Sequence, residues 1–171
     1  MMKNINENIS NIENFKPTKL SVDDSGEYWE IRQEMVEKDP QAFGFDKTKE
    51  NEKYWKDYIL NPYNSFYGIK INNKFVSTAA SLTTEENVCL IKNVYTKEEF
   101  RGRGFSEKLL DVLINEARVN GIKKLNLWVN YVDSPQVAKK MYEKLGFKKV
   151  DEYKYPNSDV VFSEFMEKDF L

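Results

Sequence analysis

The chain contains no histidine and a single cysteine, Cys89. Without histidine, a Ser-His-Asp triad and a His-ligated metal are both excluded, and no metal site is expected. Any general base must then be a carboxylate, a tyrosine, a lysine, a terminal amine or a relayed water. One cysteine rules out an intramolecular disulfide and fits a reducing compartment. Set in an apolar strand, Cys89 reads as small core filler rather than as an acyl-accepting nucleophile. Net charge is scarce too, −2 from 26 basic and 28 acidic residues, with Lys and Arg spread along the chain. That balance argues against a protein that grips nucleic acid electrostatically. No apolar run approaches the roughly 20 residues needed to span a membrane. The Asn- and Glu-rich start lacks the apolar centre of a signal peptide. A soluble, cytoplasmic protein is the expectation.

What is present suffices for one folded domain. The 171 residues are 40% hydrophobic and 14% aromatic, enough to bury a core. Residues 1–17 are polar and aperiodic and read as a tail or loosely docked arm, leaving 18–171 as the domain. Thr18 to Val22 reads as a first strand, and Asp23, Asp24 and Ser25 supply capping oxygens for a helix to about Lys38. Asp46 or Thr48 is the expected cap of a second helix carrying Tyr54, Trp55, Tyr58 and Ile59. The Asn72-Asn73 turn predicts a hairpin of Ser65 to Ile71 with Lys74 to Leu82, and Val88 to Thr96 follows as a third strand. Phe105, Leu109, Leu110, Val112, Leu113 and Ala117 trace one face of a helix closed by Asn120-Gly121. Lys124 to Asn130 alternates as a strand. Ser134 then caps a helix with Pro135 at its first position and Val137, Ala138, Met141, Tyr142 and Leu145 on its apolar face. Strands near Phe147 to Tyr155 and Val160 to Lys168 close the chain. The prediction is an α/β fold: a mixed, mostly antiparallel sheet of six to seven strands flanked by about four helices.

The run Phe100-Arg101-Gly102-Arg103-Gly104-Phe105-Ser106 lies between a strand and a helix. Its glycines let the backbone turn sharply and aim N–H groups at a ligand. At a helix N-terminus those groups favour an anion, so the run describes a diphosphate cradle. Alone it is weak, because Arg-Gly runs also occur in surface turns and in nucleic-acid-binding tails.

With its surroundings the run resembles the diphosphate motif of the GCN5-related N-acetyltransferase superfamily, Gln/Arg-x-x-Gly-x-Gly/Ala before a Leu-Leu helix, here Arg101-Gly102-Arg103-Gly104-Phe105-Ser106 and Leu109-Leu110. A second motif, Ala-x-x-x-Tyr-x-x-x-Gly-Phe, matches Ala138, Tyr142, Gly146 and Phe147. The resemblance runs from about Val88 to Phe147. Two departures stand out. Pro135 occupies a position where many members have Asn, so Asn130 or Ser134 must replace any contact that Asn makes to the cofactor. Leu90 stands where the histone-acetylating branch places a catalytic Glu.

The resemblance implies a single GNAT-like domain with splayed central strands. It also implies transfer of an acetyl group from acetyl-CoA (coenzyme A) to a primary amine of a small molecule or a peptide N-terminus. Phe100 to Ser106 would hold the diphosphate, with the Arg101 and Arg103 side chains either adding charge or pointing to solvent. The pantetheine arm would pair with Val94, Tyr95 and Thr96, and an N–H near Val94 would polarise the thioester carbonyl. Tyr142 would protonate the departing thiolate, its alternative being a packed core tyrosine. For the base, Glu85 and Glu86 are candidates, with Asn93 or Tyr95 as water-holders. Phe43, Phe45, Trp55 and Tyr67 are candidates for the acceptor pocket, with Glu50 or Glu52 steering a cationic amine. The alternative is a non-catalytic acyl-CoA-binding module. Aromatic-rich surfaces and exposed last strands are compatible with a homodimer.

Overall fold

The computed structural model describes residues 15–44, 46, 48–131, 136–153 and 162–170. In chain order they form β1 (Thr18–Lys19), α1 (Ser25–Lys38), α2 (Glu52–Leu60), β2 (Ser65–Ile71), β3 (Lys74–Glu85) and β4 (Val88–Thr96). There follow α3 (Phe105–Val119), β5 (Lys124–Tyr131), α4 (Gln136–Lys144), β6 (Lys148–Tyr153) and β7 (Phe162–Asp169). The expected tail through residue 14, the expected cap Ser134 with Pro135, and Phe45 lie outside the described residues. Within the stretch expected as a tail (1–17), the described Phe15 packs edge-on against Phe105, ring centroids 5.8 Å apart.

The seven strands make one sheet in the order β1-β2-β3-β4-β5-β7-β6. β4 and β5 run parallel, and every other neighbouring pair is antiparallel. Asn72 and Asn73 both take positive φ (51° and 59°), the geometry of a two-residue hairpin turn. Two apolar cores cover the two faces. Leu109, Leu110 and Leu113 of α3 pack with Leu125, Leu127 and Met166 on one side. On the other, Tyr28, Ile31 and Met35 of α1 and Trp55 of α2 pack on Phe66, Phe75 and Leu82.

Two expectations need correction. The cap of α2 is neither Asp46 nor Thr48 but Asn51, whose side chain accepts from the Tyr54 N–H at 2.9 Å. Asp46 is engaged in its own turn, accepting from the N–H and hydroxyl of Thr48 at 3.0 and 2.6 Å, so the helix starts beyond it. Val137 is not buried on α4 but 87% exposed, and with Ala138 and Met141 it borders the cleft described below.

Two local devices shape the centre of the molecule. First, β4 bulges: Ala80 pairs with Lys92 and Thr78 with Tyr95, two steps on β3 against three on β4, and Asn93 sits at φ 54°. Its Nδ2 donates to the buried Tyr28 hydroxyl at 2.8 Å. Beyond the register Val88↔Lys124, Cys89↔Leu125 and Leu90↔Asn126, β4 and β5 part. Second, α4 ends in a Schellman turn. Gly146, at φ 88°, donates to the Glu143 carbonyl at 2.9 Å and Phe147 to the Tyr142 carbonyl at 3.0 Å. The apolar contact that accompanies such a turn is the Tyr142–Phe147 ring pair, centroids 5.9 Å apart.

Both devices are testable by chemical denaturation. Gly146→Ala forces a Cβ into the left-handed region and within 2.6 Å of Lys168 Nζ; a loss of about 1–2 kcal/mol is expected. Asn93→Gly keeps the bulge conformation but strips the Tyr28 hydroxyl of its buried partner, for a loss of about 1–3 kcal/mol. Asn93→Ala should lose about 1 kcal/mol more than Asn93→Gly, because it adds strain at positive φ. Equal stabilities for the two variants would show that the bulge is not held by residue 93.

Candidate active site

Where β4 and β5 part, a cleft of about 1260 Å³ opens, bordered by β4 from Leu90 to Thr96, β5 from Leu127 to Asn130, the loop 100–106, and Tyr142. On the β5 side, the backbone groups of β4 past Leu90 have no strand partner, which leaves an extended edge facing the cleft. Of the sequence candidates, Val94, Tyr95, Thr96, Arg101, Gly102, Arg103, Gly104, Phe105, Ser106, Asn130 and Tyr142 are all brought to this cleft, as are Phe43 and Trp55.

The loop leaves backbone amides open at the start of α3. Gly104 is the N-cap of α3 at φ 72°, a left-handed conformation that glycine adopts without strain. The first helical bond runs from the Lys108 N–H to the Gly104 carbonyl, 3.0 Å, so the amides of Phe105, Ser106 and Glu107 precede the helical ladder. A Cβ added at Gly102 or Gly104 would meet nothing within 4 Å, so the space before those amides is open. The Arg101 side chain does not run free into solvent. Its Nε donates to the Thr96 carbonyl at 3.0 Å, and its guanidinium lies 5.9 Å from the Tyr95 ring centroid. Arg103 folds back similarly, donating to the Glu99 carbonyl at 3.2 Å. Three hydroxyls tie the cradle to the sheet: Ser106 to Thr96 and Thr96 to Ser77, both at 2.8 Å, with Ser77 donating to the Tyr95 carbonyl at 2.9 Å.

Tyr142 is 8% exposed, at the cleft wall. Burial pushes its phenol up from the ordinary value, so it holds its proton throughout the neutral range. Asn130 accepts from the Ser163 hydroxyl at 2.6 Å, which fixes its side-chain oxygen on β7.

The opposite end of the cleft is aromatic. Phe43 meets Tyr95 edge-on at 5.7 Å, and Tyr54 stacks on Tyr58 at 4.7 Å. Burial first, then the Tyr58 hydrogen bond, pushes Tyr54 up to about 12, so its phenol is uncharged at neutral pH. The Tyr95 hydroxyl donates to Glu34 Oε1 at 3.0 Å, and Glu34 pairs with Lys97 at 2.8 Å. Arg32 grips Glu50 in a fork, Nε to Oε2 at 2.9 Å and Nη2 to Oε1 at 3.0 Å. Glu50 is therefore paired rather than available to steer a cation. Sequence reasoning missed Arg32, Glu34 and Tyr28; a buried charge on the apolar face of a helix, Arg32 beside Ile31 and Met35, was the available signal.

Three candidates lie elsewhere. Glu85 and Glu86 border a separate pocket of about 720 Å³ with Cys89, Leu113 and Glu116. They precede β4, whereas the part of β4 that borders the cleft runs from Leu90 onward, where β4 and β5 separate. At about 3.3 Å per residue, the strand puts roughly 25 Å between Glu86 and the Val94 edge. Tyr67 points to the α3 side, because its neighbours Phe66 and Gly68 take the α1 side. It lies under Lys19, 5.9 Å from the ring centroid. Cys89 is buried, as expected of core filler. Among the described residues, no three His, Cys, Asp or Glu side chains gather to hold a metal ion, and no helix is long and apolar enough to cross a membrane.

Residues 28–147 match the family described as Acetyltransferase (GNAT) family. The chain is 30% identical over 97 residues to the uncharacterized N-acetyltransferase YycN of Bacillus subtilis, covering 54% of this chain and 61% of that protein. It is 33% identical over 69 residues to the ribosomal protein bS18-alanine N-acetyltransferase of Haemophilus ducreyi, covering 39% of this chain and 46% of that one. The chain thus spans less than two thirds of the length of the curated relatives it matches. In fold it is similar to a GNAT-family acetyltransferase of Streptococcus pneumoniae, TM-score 0.79 at 13% identity over 92% of this chain and 100% of that one. It is also similar to the PaiA N-acetyltransferase of Thermoplasma acidophilum, solved in complex with coenzyme A, TM-score 0.72 at 20% identity over 92% and 99%. Matched from the first turn of α1 to the Gly146-Phe147 turn, the chain belongs to the acetyltransferase (GNAT) family.

Proposed function

We propose that the protein is an N-acetyltransferase that moves the acetyl group of acetyl-CoA onto a primary amine of a small molecule or peptide, by direct attack with both substrates bound. One observation carries this reading: a helix-start cradle of open amides, an unpaired strand edge and a protonated, buried Tyr142 all border the same cleft. The residues fit the cofactor. The amides from Gly102 to Ser106 receive the diphosphate, and the Arg101 and Arg103 side chains add charge beside it. The edge from Val94 to Thr96 pairs with the amide-bearing pantetheine arm, and Asn130 offers a further polar contact. The exposed face of α4, Val137 and Met141, covers the arm. When bound, acetyl-CoA supplies the acyl thioester.

The chain's own groups then divide the chemistry. The bulge at Asn93 turns a backbone N–H near Val94 towards the carbonyl oxygen, where negative charge develops. Tyr142 gives its proton to the departing sulfur. For the proton of the amine, Tyr95 with Glu34 forms a relay: the phenol takes a proton from a bridging water as it passes its own to the carboxylate. Burial and Glu34 raise Tyr95, so it relays as a neutral phenol rather than as phenolate. The relay replaces Glu85 and Glu86, which do not reach the cleft. The relative named for an alanine of a ribosomal protein keeps peptide N-termini among the acceptors. The single buried cysteine fits a cytoplasmic site of action.

A free-thiol release assay over amines and peptides tests the proposal. Tyr142→Phe should lower kcat about 10²-fold while calorimetric acetyl-CoA binding persists. Unchanged turnover in the variant would remove Tyr142 as the acid. Tight acetyl-CoA binding by the wild-type protein without turnover of any acceptor would favour the binding-module alternative.

A further inference from the structure

At the aromatic end of the cleft two buried donors point at no acceptor. Arg32 is 3% exposed and Trp55 3%. Arg32 uses Nε and Nη2 on Glu50, and Nη2 also on the Gly44 carbonyl, but Nη1 has no hydrogen-bond partner among the described residues. Neither has the indole Nε1 of Trp55. The two groups are neighbours, the guanidinium carbon 5.5 Å from the Trp55 ring centroid, and both residues border the cleft. A buried donor left without an acceptor is penalised, and two such donors on neighbouring side chains mark a place where an acceptor oxygen would be stabilised.

The charge balance says which oxygen. Glu50 already neutralises Arg32, so a second carboxylate would bring an unpaired negative charge into a buried, aromatic setting. An uncharged carbonyl oxygen accepts from both donors and leaves the balance intact. A polyamine brings only donors. Glu50 has no oxygen left for a second ammonium, since Oε1 and Oε2 hold the guanidinium and Oε1 also accepts from the Asp46 N–H at 3.3 Å.

Resting on the acetyltransferase reading above, we propose that Arg32 Nη1 and Trp55 Nε1 form a carbonyl subsite, and that the acceptor is an amine bearing an uncharged amide or peptide carbonyl. A peptide N-terminus and a small amino-acid amide share this chemistry. The occupant shifts the local side chains enough to reach the two donors, which in the free protein lie beneath the cleft surface.

The test compares alaninamide and an Ala-initiated pentapeptide amide with 1,2-diaminopropane, the carbonyl-free counterpart of alaninamide. The wild-type protein should favour at least one carbonyl-bearing amine by about ten-fold in kcat/KM. In Trp55→Phe, which keeps a ring but loses the donor, that preference should shrink to about two-fold. The better of the two carbonyl amines identifies the source. A ratio unchanged by Trp55→Phe overturns the subsite. A second readout needs neither turnover nor a folded variant. In the wild-type protein saturated with CoA, one of the three indole N–H resonances should move on adding alaninamide and stay still with the diamine. Movement of no indole resonance with any carbonyl amine overturns the subsite even if the enzyme reading stands. A selective shift without turnover supports the subsite while the enzyme reading fails.

Discussion

The molecule depends on one asparagine held at positive φ in the middle of a strand. With Asn93 at φ 54°, β4 gains a residue over β3, bends, and loses its parallel partner β5 after three pairs. A regular β4 would keep pairing to its end and close the cleft. The conformation costs about 1 kcal/mol for a non-glycine residue, less for Asn than for most. It is held by the side chain's own hydrogen bond to Tyr28, itself fully buried among Trp55 and Phe66. Packing of the N-terminal helices thus stabilises the defect that opens the site. The bulge belongs to the fold's energetics as much as to its chemistry.

The two sides of the cleft are delivered by helix ends, and each end follows from ordinary capping physics. At the start of α3, the hydroxyl chain Ser106–Thr96–Ser77 pins the cradle to the sheet and leaves its backbone amides facing outward. At the end of α4, the Schellman turn sets the distance between Tyr142 and Phe147 and so decides how deeply the phenol is buried. The spacing Tyr142 to Gly146-Phe147 is therefore a folding requirement first. The same burial that packs the ring holds its proton on, which is what an acid acting at neutral pH needs.

These causes explain which features were legible in the sequence. The hairpin at Asn72-Asn73, the strand Val88–Thr96 and the helix after the glycine run are local: alternation, turn chemistry and 3.6-residue spacing specify them without reference to the rest of the chain. The open amides at the start of α3 and the place of Tyr142 beside the cleft were legible because helix ends leave a written signature in Gly and its neighbours. The bulge was not, since an Asn within a strand looks like any polar residue until its partner strand is known. Glu85 and Glu86 failed for the same reason at a larger scale. Which end of β4 opens is set by the β4–β5 register, a contact between residues more than thirty apart in sequence. Tyr67 was assigned to the wrong face because a period-two pattern says that neighbours alternate, not which face is which.

What remains at the acceptor end is a question of charge, and the structure argues it in one direction. Two carboxylates near the aromatic wall already have a cation: Glu50 has Arg32, and Glu34 has Lys97. Asp39 accepts instead from the Ala42 N–H at 3.1 Å, which ties down the segment carrying Phe43. Tyrosines 54 and 95, raised by burial and by their neighbours, add no charge in the neutral range. On the acetyltransferase reading, an amine arriving as ammonium would find Glu50 and Glu34 already paired, and of the carboxylates bordering the cleft only Asp39 has no salt bridge among the described residues. Away from Asp39, desolvation would favour the free base, with its proton left to water or to the proposed Tyr95–Glu34 relay. Desolvation that disfavours the cation is the same force that frees the lone pair for attack. On that reading the cleft would lower the amine's own proton affinity and so assist the relay without an ionised base in direct reach. Recognition then falls to hydrogen-bond donors and aromatic shape, and a buried arginine already balanced by glutamate presents such donors without adding net charge.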